Sequence, residues 1–229
     1  MNTYLISPTP KLTKSIDFYD RLGFRIEMSD SGALVSDGQA FLEINTQRYT
    51  RAGIVICRDN WDDVISALSD KYPYAITDDG YVLSDPSGTW VYLNHGPTKY
   101  QLNPQDKSFS LLGNYVGLSL EVLSIENALE FYSLLGFEKS SGSAEQGWVS
   151  LKNSDGVAIS LMKPLVCPHL FYNPSLTYFN GGNNMEVIDK IRKAEIPITE
   201  EITHFNKDGL VDNVILRDPG GFGFFIFND

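Results

Sequence analysis

The sequence of 229 residues contains few of the residues that build cross-links or metal sites. Its two cysteines, Cys57 and Cys167, stand apart and outside any CxxC pair, which excludes a disulfide framework. There are only three histidines, His95, His169 and His204. No apolar run approaches the roughly 20 residues that a membrane-spanning helix needs, and the first residues lack the pattern of a secretory signal. We therefore expect a cytoplasmic protein without a membrane partner.

Positive charge is also scarce. The chain has 18 Lys and Arg residues against 29 Asp and Glu residues, which gives a net charge of −11. The basic residues occur singly, so no patch follows a phosphate backbone, and nucleic acid is not an expected partner. A negative field favours cationic or neutral small molecules, although acidity that serves only solubility is the other interpretation. An aromatic content of 12% supplies bulk for a core and argues against disorder.

The most informative feature is an internal repeat. The segment Phe18–Phe24, with the sequence FYDRLGF, recurs as Phe131–Phe137, with the sequence FYSLLGF. The turn Asp85–Gly88 (DPSG) recurs as Asp218–Gly221 (DPGG), and each copy precedes an aromatic-rich last strand. The second pair of copies is spaced farther apart than the first, which indicates insertions in the second half. The chain is therefore predicted to be a duplicated unit.

Each half divides again into two units with the element order βαβββ. In the first unit Ile16, Tyr19 and Leu22 give a helix one apolar face, and Gly23 ends that helix. In the second unit we expect a helix over Trp61–Lys71. The four units begin with strands predicted at Thr3, Gly53, Tyr115 and Ser175. Two domains are predicted, at residues 1–97 and 114–229, with a proline-containing linker at 98–113.

Four βαβββ units in tandem resemble the vicinal oxygen chelate superfamily, which includes glyoxalase I, bleomycin-resistance proteins and extradiol dioxygenases. The resemblance rests on Ser15–Phe24, its echo Ala128–Phe137 and the two Asp-Pro-x-Gly turns, and it extends over nearly the whole chain. It implies an α+β fold of two tandem glyoxalase-like cupped barrels. Each barrel pairs two units around a cleft.

Enzymes of that superfamily generally bind a divalent metal through His and Glu side chains on the first and last strand of each unit. The positions that match here are Tyr4, Glu43, Gly53 and Tyr92 in the first half, and Gly117, Ser160, Ser175 or Leu176, and Phe225 in the second. Only Glu43 is a ligand of the expected kind, and one side chain does not replace the hydration shell of a divalent ion. The resemblance therefore implies no metal site and no cofactor. A site built from the three histidines in another arrangement is the alternative.

The clefts are instead predicted to bind an unidentified small molecule. By strand alternation Glu43 shares a face with Phe41, and Tyr92 shares a face with Trp90, so the first cleft is aromatic with one carboxylate. Such a pocket suits a flat or cationic ligand. The predicted ligand-binding residues are Tyr4, Phe41, Glu43, Trp90, Tyr92, Ser119, Ser160 and Phe225. The alternative is that these side chains only fill the barrels.

Two functions compatible with these features belong to different classes. The first is a metal-free small-molecule-binding protein similar to the bleomycin-resistance proteins. The second is a superfamily enzyme (a lyase, isomerase or dioxygenase) with an atypical metal site or with Glu43 as a lone general base. A third arrangement, in which one half has no ligand and serves as packing surface or as the interface of a homodimer, is compatible with either function.

Overall fold

A computed structural model describes residues 2–228 of the chain. The first half forms an eight-stranded sheet with the order β2-β3-β4-β1-β5-β8-β7-β6. Its elements are β1 (Asn2–Pro8), α1 (Leu12–Arg21), β2 (Arg25–Ser29), β3 (Gly32–Ser36), β4 (Phe41–Asn45), β5 (Gly53–Arg58), α2 (Asp62–Leu68), β6 (Tyr74–Thr77), β7 (Gly80–Ser84) and β8 (Trp90–His95). The two βαβββ units meet where β1 pairs antiparallel with β5.

The second half repeats this arrangement in a second eight-stranded sheet, with the order β10-β11-β12-β9-β13-β16-β15-β14. Its elements are β9 (Tyr115–Glu121), α3 (Ile125–Leu134), β10 (Phe137–Ser143), β11 (Trp148–Asn153), β12 (Ala158–Met162), β13 (Ser175–Phe179), α4 (Asn184–Lys193), β14 (Ile198–Ile202), β15 (Asn213–Arg217) and β16 (Gly223–Phe227). The equivalent strand orders confirm the predicted α+β fold class of four βαβββ units.

The predicted elements differ from the observed ones chiefly at α2, which is shorter than the expected Trp61–Lys71. Trp61 precedes the helix with a φ of −114°, and its indole donates to the Asn94 carbonyl at 3.0 Å. This contact holds Trp61 against β8, and the helix begins only at Asp62. None of the helices within residues 2–228 is long and apolar enough to cross a membrane.

The two sheets share one hydrophobic core. In each sheet alternate residues point to the helices, on the helix face, or away from them, on the cleft face. The helix faces of both halves contribute to a single buried cluster. Within it the Phe18 and Tyr19 rings lie 5.9 and 6.1 Å from the ring of Phe224 in the other half. The halves therefore pack together through their helix faces, and the cleft faces lie on the opposite sides of the sheets.

The repeated motifs are joined across this core by hydrogen bonds. The Tyr19 hydroxyl donates to Asp218 Oδ2 at 2.9 Å, and the Tyr132 hydroxyl donates to Asp85 Oδ2 at 2.9 Å. Each tyrosine belongs to one half and each aspartate to the Asp-Pro-x-Gly turn of the other. Burial raises the pKa of Asp218, against the opposing effect of the hydrogen bonds that it accepts, first among them that from Ser7. The repeat therefore encodes a reciprocal contact as well as local structure.

The segment predicted as a linker is anchored along its length. Phe109 donates its backbone N–H to the Asp37 carbonyl at 2.8 Å, and Leu111 donates to the Leu22 carbonyl at 2.9 Å. Leu112 is fully buried in the shared core. The domain boundaries at 97/98 and 113/114 stay a prediction, but the chain between the sheets is fixed to the first half.

Candidate functional site

The cleft face of the first sheet lines an open cavity of about 360 Å³. Its floor comes from three neighbouring strands, because Tyr4 on β1 pairs with Val55 on β5, and Val55 pairs with Tyr92 on β8. Val55 therefore lies beside Tyr4 and Tyr92 in the sheet, at the position that the family resemblance assigned to Gly53. Glu43 enters from β4, with its Cα level with Ile6 of β1.

Glu43 is the buried charge of this cavity, with 1% of its surface exposed. Its Oε1 atom accepts three hydrogen bonds, from Lys99 Nζ at 3.0 Å, Ser31 Oγ at 3.0 Å and Asn45 Nδ2 at 2.8 Å. Its Oε2 atom accepts none from residues 2–228. A carboxylate oxygen offers about two acceptor positions, so Glu43 retains acceptor capacity beside the cavity.

Lys99 neutralises Glu43 and was not found by sequence reasoning. Its side chain is 52% exposed, whereas that of Glu43 is 2% exposed, so the lysine covers the carboxylate from the solvent side. Burial lowers the pKa of Lys99, but the hydrogen bond and the charge of Glu43 outweigh it and raise the pKa above its usual value. Lys99 follows the last strand of the first half in the predicted linker, and no motif or spacing marked it.

Three tyrosines surround the pair. Burial, and then the charge of Glu43, raise the pKa of Tyr4 and of Tyr100. The Tyr100 ring packs edge-on against Tyr4 with centroids 5.4 Å apart. Burial also raises the pKa of Tyr92, whose hydroxyl accepts from the backbone N–H of Arg51 at 2.9 Å. These hydroxyls remain protonated at neutral pH, so the tyrosines act as walls and hydrogen-bonding groups.

The mouth of the cavity is acidic. Asp78 and Asp79 line it from the turn between β6 and β7, and neither forms a salt bridge within the described chain. Tyr49, in the loop between β4 and β5, also lines the cavity and has 83% of its surface exposed. With Glu43 and Lys99 included, the cavity carries three carboxylates against one ammonium group.

The remaining predicted residues of the first cleft lie farther from this cavity. Phe41 shares the cleft face and packs on the cluster around Tyr4, but it borders a different cavity. Trp90 lies at the start of β8, is 39% exposed, and does not line the cavity. The structure therefore brings Tyr4, Glu43 and Tyr92 together and leaves the other two at the edge.

The cleft face of the second sheet is covered by the protein itself. Ser119 shares a hydrogen bond with Thr177 at 2.7 Å, and Ser160 shares one with Ser150 at 3.0 Å. Phe225 is buried under the connecting segment that precedes β13. Its ring lies 5.1 Å from that of His169 and 4.7 Å from that of Phe171. The predicted binding role of Ser119, Ser160 and Phe225 stays a prediction, and their partners are protein groups.

Comparisons with known proteins identify the fold. No model of a protein family and no curated protein matches the sequence. The match to a catechol 2,3-dioxygenase structure covers 97% of this chain and 85% of that chain, with a TM-score of 0.56 and 17% identity. The match to a trihydroxybiphenyl dioxygenase from Sphingomonas wittichii covers 99% of this chain and 91% of that chain, with a TM-score of 0.55 and 16% identity. The match to a homoprotocatechuate 2,3-dioxygenase variant from Brevibacterium fuscum covers 99% of this chain and 70% of that chain, with a TM-score of 0.61 and 14% identity.

The chain has the same fold as these dioxygenases. This agrees with the predicted α+β fold of two tandem glyoxalase-like barrels. Because the identities are 14 to 17%, the likeness establishes the fold and not the reaction.

The side chains of the described residues do not fit a divalent metal. In the part of the chain that the structure describes, no three His, Cys, Asp or Glu side chains lie close enough together to hold an ion. His95 lies 3.9 Å from Asp62, His169 is enclosed by aromatic rings, and His204 lies against Phe205. That the protein uses no cofactor stays a prediction.

Proposed function

We propose that the chain binds a small organic molecule in the first cleft without a metal, as the bleomycin-resistance proteins that it resembles do. The observation that supports this is the free acceptor capacity of Glu43. A buried carboxylate with one oxygen unbonded beside an open cavity of about 360 Å³ is an arrangement that a ligand donor completes. Cavities of this size are typical of small-molecule sites, and most of the side chains that line this one are polar or charged.

The charges and rings of the cavity favour a ligand with an aromatic body and a cationic donor. Asp78 and Asp79 add negative charge at the mouth, and Glu43 offers an acceptor at the floor. Tyr4 and Tyr92 supply ring faces and edges for a flat group, and a cation gains further attraction from such rings. Because Lys99 already pairs with Glu43, the ligand's cation competes with an ammonium group of the protein.

Benzylammonium and its neutral analogue benzyl alcohol test this proposal by calorimetric titration. The Glu43→Gln variant keeps the shape and removes the charge, and a charge-assisted hydrogen bond contributes about 1.5–3 kcal/mol. We therefore expect benzylammonium affinity to fall by roughly tenfold to a hundredfold, with little change for benzyl alcohol. Replacing Lys99 with Met removes the competing cation and tightens benzylammonium binding.

The exposed Glu138→Gln variant on the edge strand β10 serves as the matched control and leaves both affinities unchanged. Equal benzylammonium affinity in Glu43→Gln and the unaltered protein, or weaker binding after Lys99→Met, contradicts the proposed contact.

The second candidate is an enzyme of the glyoxalase superfamily, and the dioxygenases among the solved structures of this fold favour it in kind. In this chain Glu43 is the group placed to move a proton, and Lys99 Nζ lies 3.0 Å from its Oε1 atom. An enzyme that relies on this group loses turnover in Glu43→Gln while it still binds substrate. A binding protein loses affinity instead.

A further inference from the structure

A second cavity of about 210 Å³ lies between the two halves, apart from the first cleft. Of the residues that line the first cleft, it shares only Tyr4. One wall comes from β1, the turn before β4 and the segment that joins the sheets, and the other comes from β9 and the turn before β12. The larger apolar side chains that line it, apart from the shared Tyr4, are Leu5, Phe41, Leu102, Pro104, Tyr115 and Val157.

The turn on one wall is held in place by a single buried carboxylate. Asp37 Oδ1 accepts the backbone N–H groups of Gln39 at 2.9 Å and Ala40 at 2.7 Å. Asp37 Oδ2 accepts the hydroxyls of Tyr178 at 2.7 Å and Ser108 at 2.9 Å. Tyr178 belongs to the second half, and Ser108 to the joining segment. The backbone of Gln39 is therefore fixed relative to both walls before any ligand arrives.

The opposite wall is tied to the first half in a similar way. Asn153 Nδ2 donates to Thr3 Oγ1 at 2.8 Å, and the Thr3 hydroxyl donates to Asp155 Oδ2 at 3.0 Å. These bonds connect β1 with the turn between β11 and β12. The width of the cavity is thus set by contacts that do not involve a ligand, and a preformed cavity reduces the ordering cost of binding.

One polar atom beside this cavity lacks a partner. Gln39 Oε1 is buried and accepts no hydrogen bond from the described residues, whereas its Nε2 donates to the Asp106 carbonyl at 3.2 Å. A buried acceptor without a donor is unfavourable, and such atoms are few in native proteins. Gln39 lines the cavity, and the terminal torsion of a glutamine amide is broad. Rotation of the amide about this torsion is the movement that would turn Oε1 toward a molecule in the cavity.

We propose that this cavity binds a small, flat, apolar molecule that carries one hydrogen-bond donor. The ring lies between the Phe41 and Leu102 side of the cavity and the Tyr115 and Val157 side, and its donor bonds to Gln39 Oε1. An apolar cavity of about 150 Å³ in another protein accommodates benzene, so a volume of about 210 Å³ admits a single substituted ring. The site is independent of the ligand proposed for the first cleft.

Phenol and toluene are the probes, because they have nearly the same shape and differ in one donor. Their affinities are measured by titration for the unaltered protein and for Gln39→Met, which keeps the side-chain length and removes the acceptor. We expect the phenol dissociation constant to rise on the order of tenfold in Gln39→Met, while that of toluene stays the same or falls. Using the ratio of the two probes cancels their different hydration.

Two further variants locate the site. Val157→Trp fills the cavity and abolishes binding of both probes, whereas the exposed Glu138→Gln on β10 leaves both unchanged. Phenol binding that survives Val157→Trp places the ligand elsewhere and overturns the proposal. Equal effects of Gln39→Met on phenol and toluene, or no binding of either at millimolar concentration, overturn it as well. If Val157→Trp fails to fold, the Gln39→Met ratio alone decides.

Discussion

At the scale of single residues, the two aspartates of the Asp-Pro-x-Gly turns each serve two purposes. Asp85 Oδ1 accepts the backbone N–H groups of Ser87 and Thr89 at 2.8 Å and so holds its own turn. Among the described residues, only the Tyr132 hydroxyl donates to its Oδ2 atom. Asp218 Oδ2, in contrast, accepts the hydroxyl of Ser7 at 2.8 Å as well as that of Tyr19. The two tyrosine–aspartate contacts are therefore similar in geometry, but Asp218 Oδ2 has a second hydrogen-bond donor, Ser7.

This difference predicts unequal costs of removing the two hydroxyls. Tyr132→Phe leaves Asp85 Oδ2 buried without a protein donor, and a lost bond to a charged group costs about 1.5–3 kcal/mol of unfolding free energy. Tyr19→Phe leaves Ser7 in place and costs less. Urea unfolding measures both, with the exposed Tyr49→Phe as a control that changes nothing. Equal losses, or a larger loss for Tyr19→Phe, would show that Ser7 does not compensate for the missing hydroxyl.

At the scale of elements, the segment between the sheets is packed against the first half, and its end is also held by Asn180 of the second half. Its first part crosses the cleft face, where Tyr100 and Leu102 pack on the cluster around Tyr4. Its later part is hydrogen-bonded to the β3–β4 turn and to Leu22. The prolines of this segment predict a connection between domains, but they do not indicate whether that connection packs against the rest of the protein.

Limited proteolysis is expected to spare this segment. The connection before β13 is a better substrate, because Leu165 is 90% exposed and lies outside any strand or helix, and exposed loop tips are preferred sites of cleavage. Brief chymotrypsin digestion with mass spectrometry should give a first cut at Leu165 or Leu170. A first cut at Phe109 would indicate that the joining segment detaches in solution.

At the scale of the whole molecule, the donors that a metal needs are dispersed. Glu43 is the one matched position with a ligand side chain, and its charge is balanced by Lys99. Divalent ions require several converging side chains to offset the loss of hydration.

We therefore expect elemental analysis of the gently purified protein to find far less than one Zn, Fe, Ni or Mn ion per chain. A metal bound to the native state would raise the melting temperature. Because we expect no bound metal, chelator treatment should leave the melting temperature unchanged. One mole of metal per chain, removed by a chelator with a fall in melting temperature, would contradict this and favour the enzyme.

The sequence by itself determined the duplicated βαβββ order, the turns and the faces of the strands, because periodicity, glycine and aspartate-proline signals act locally. Gly23, for example, has the positive φ of 80° that its position after α1 predicts. It also identified Glu43 and its neighbours on the cleft face. Only the tertiary structure decided that Lys99 pairs with Glu43, that Phe225 is covered by His169 and Phe171, and that each Asp-Pro-x-Gly turn accepts a tyrosine from the other half. These contacts join residues far apart in the chain, and they depend on how two sheets and their connections pack, which no local pattern records.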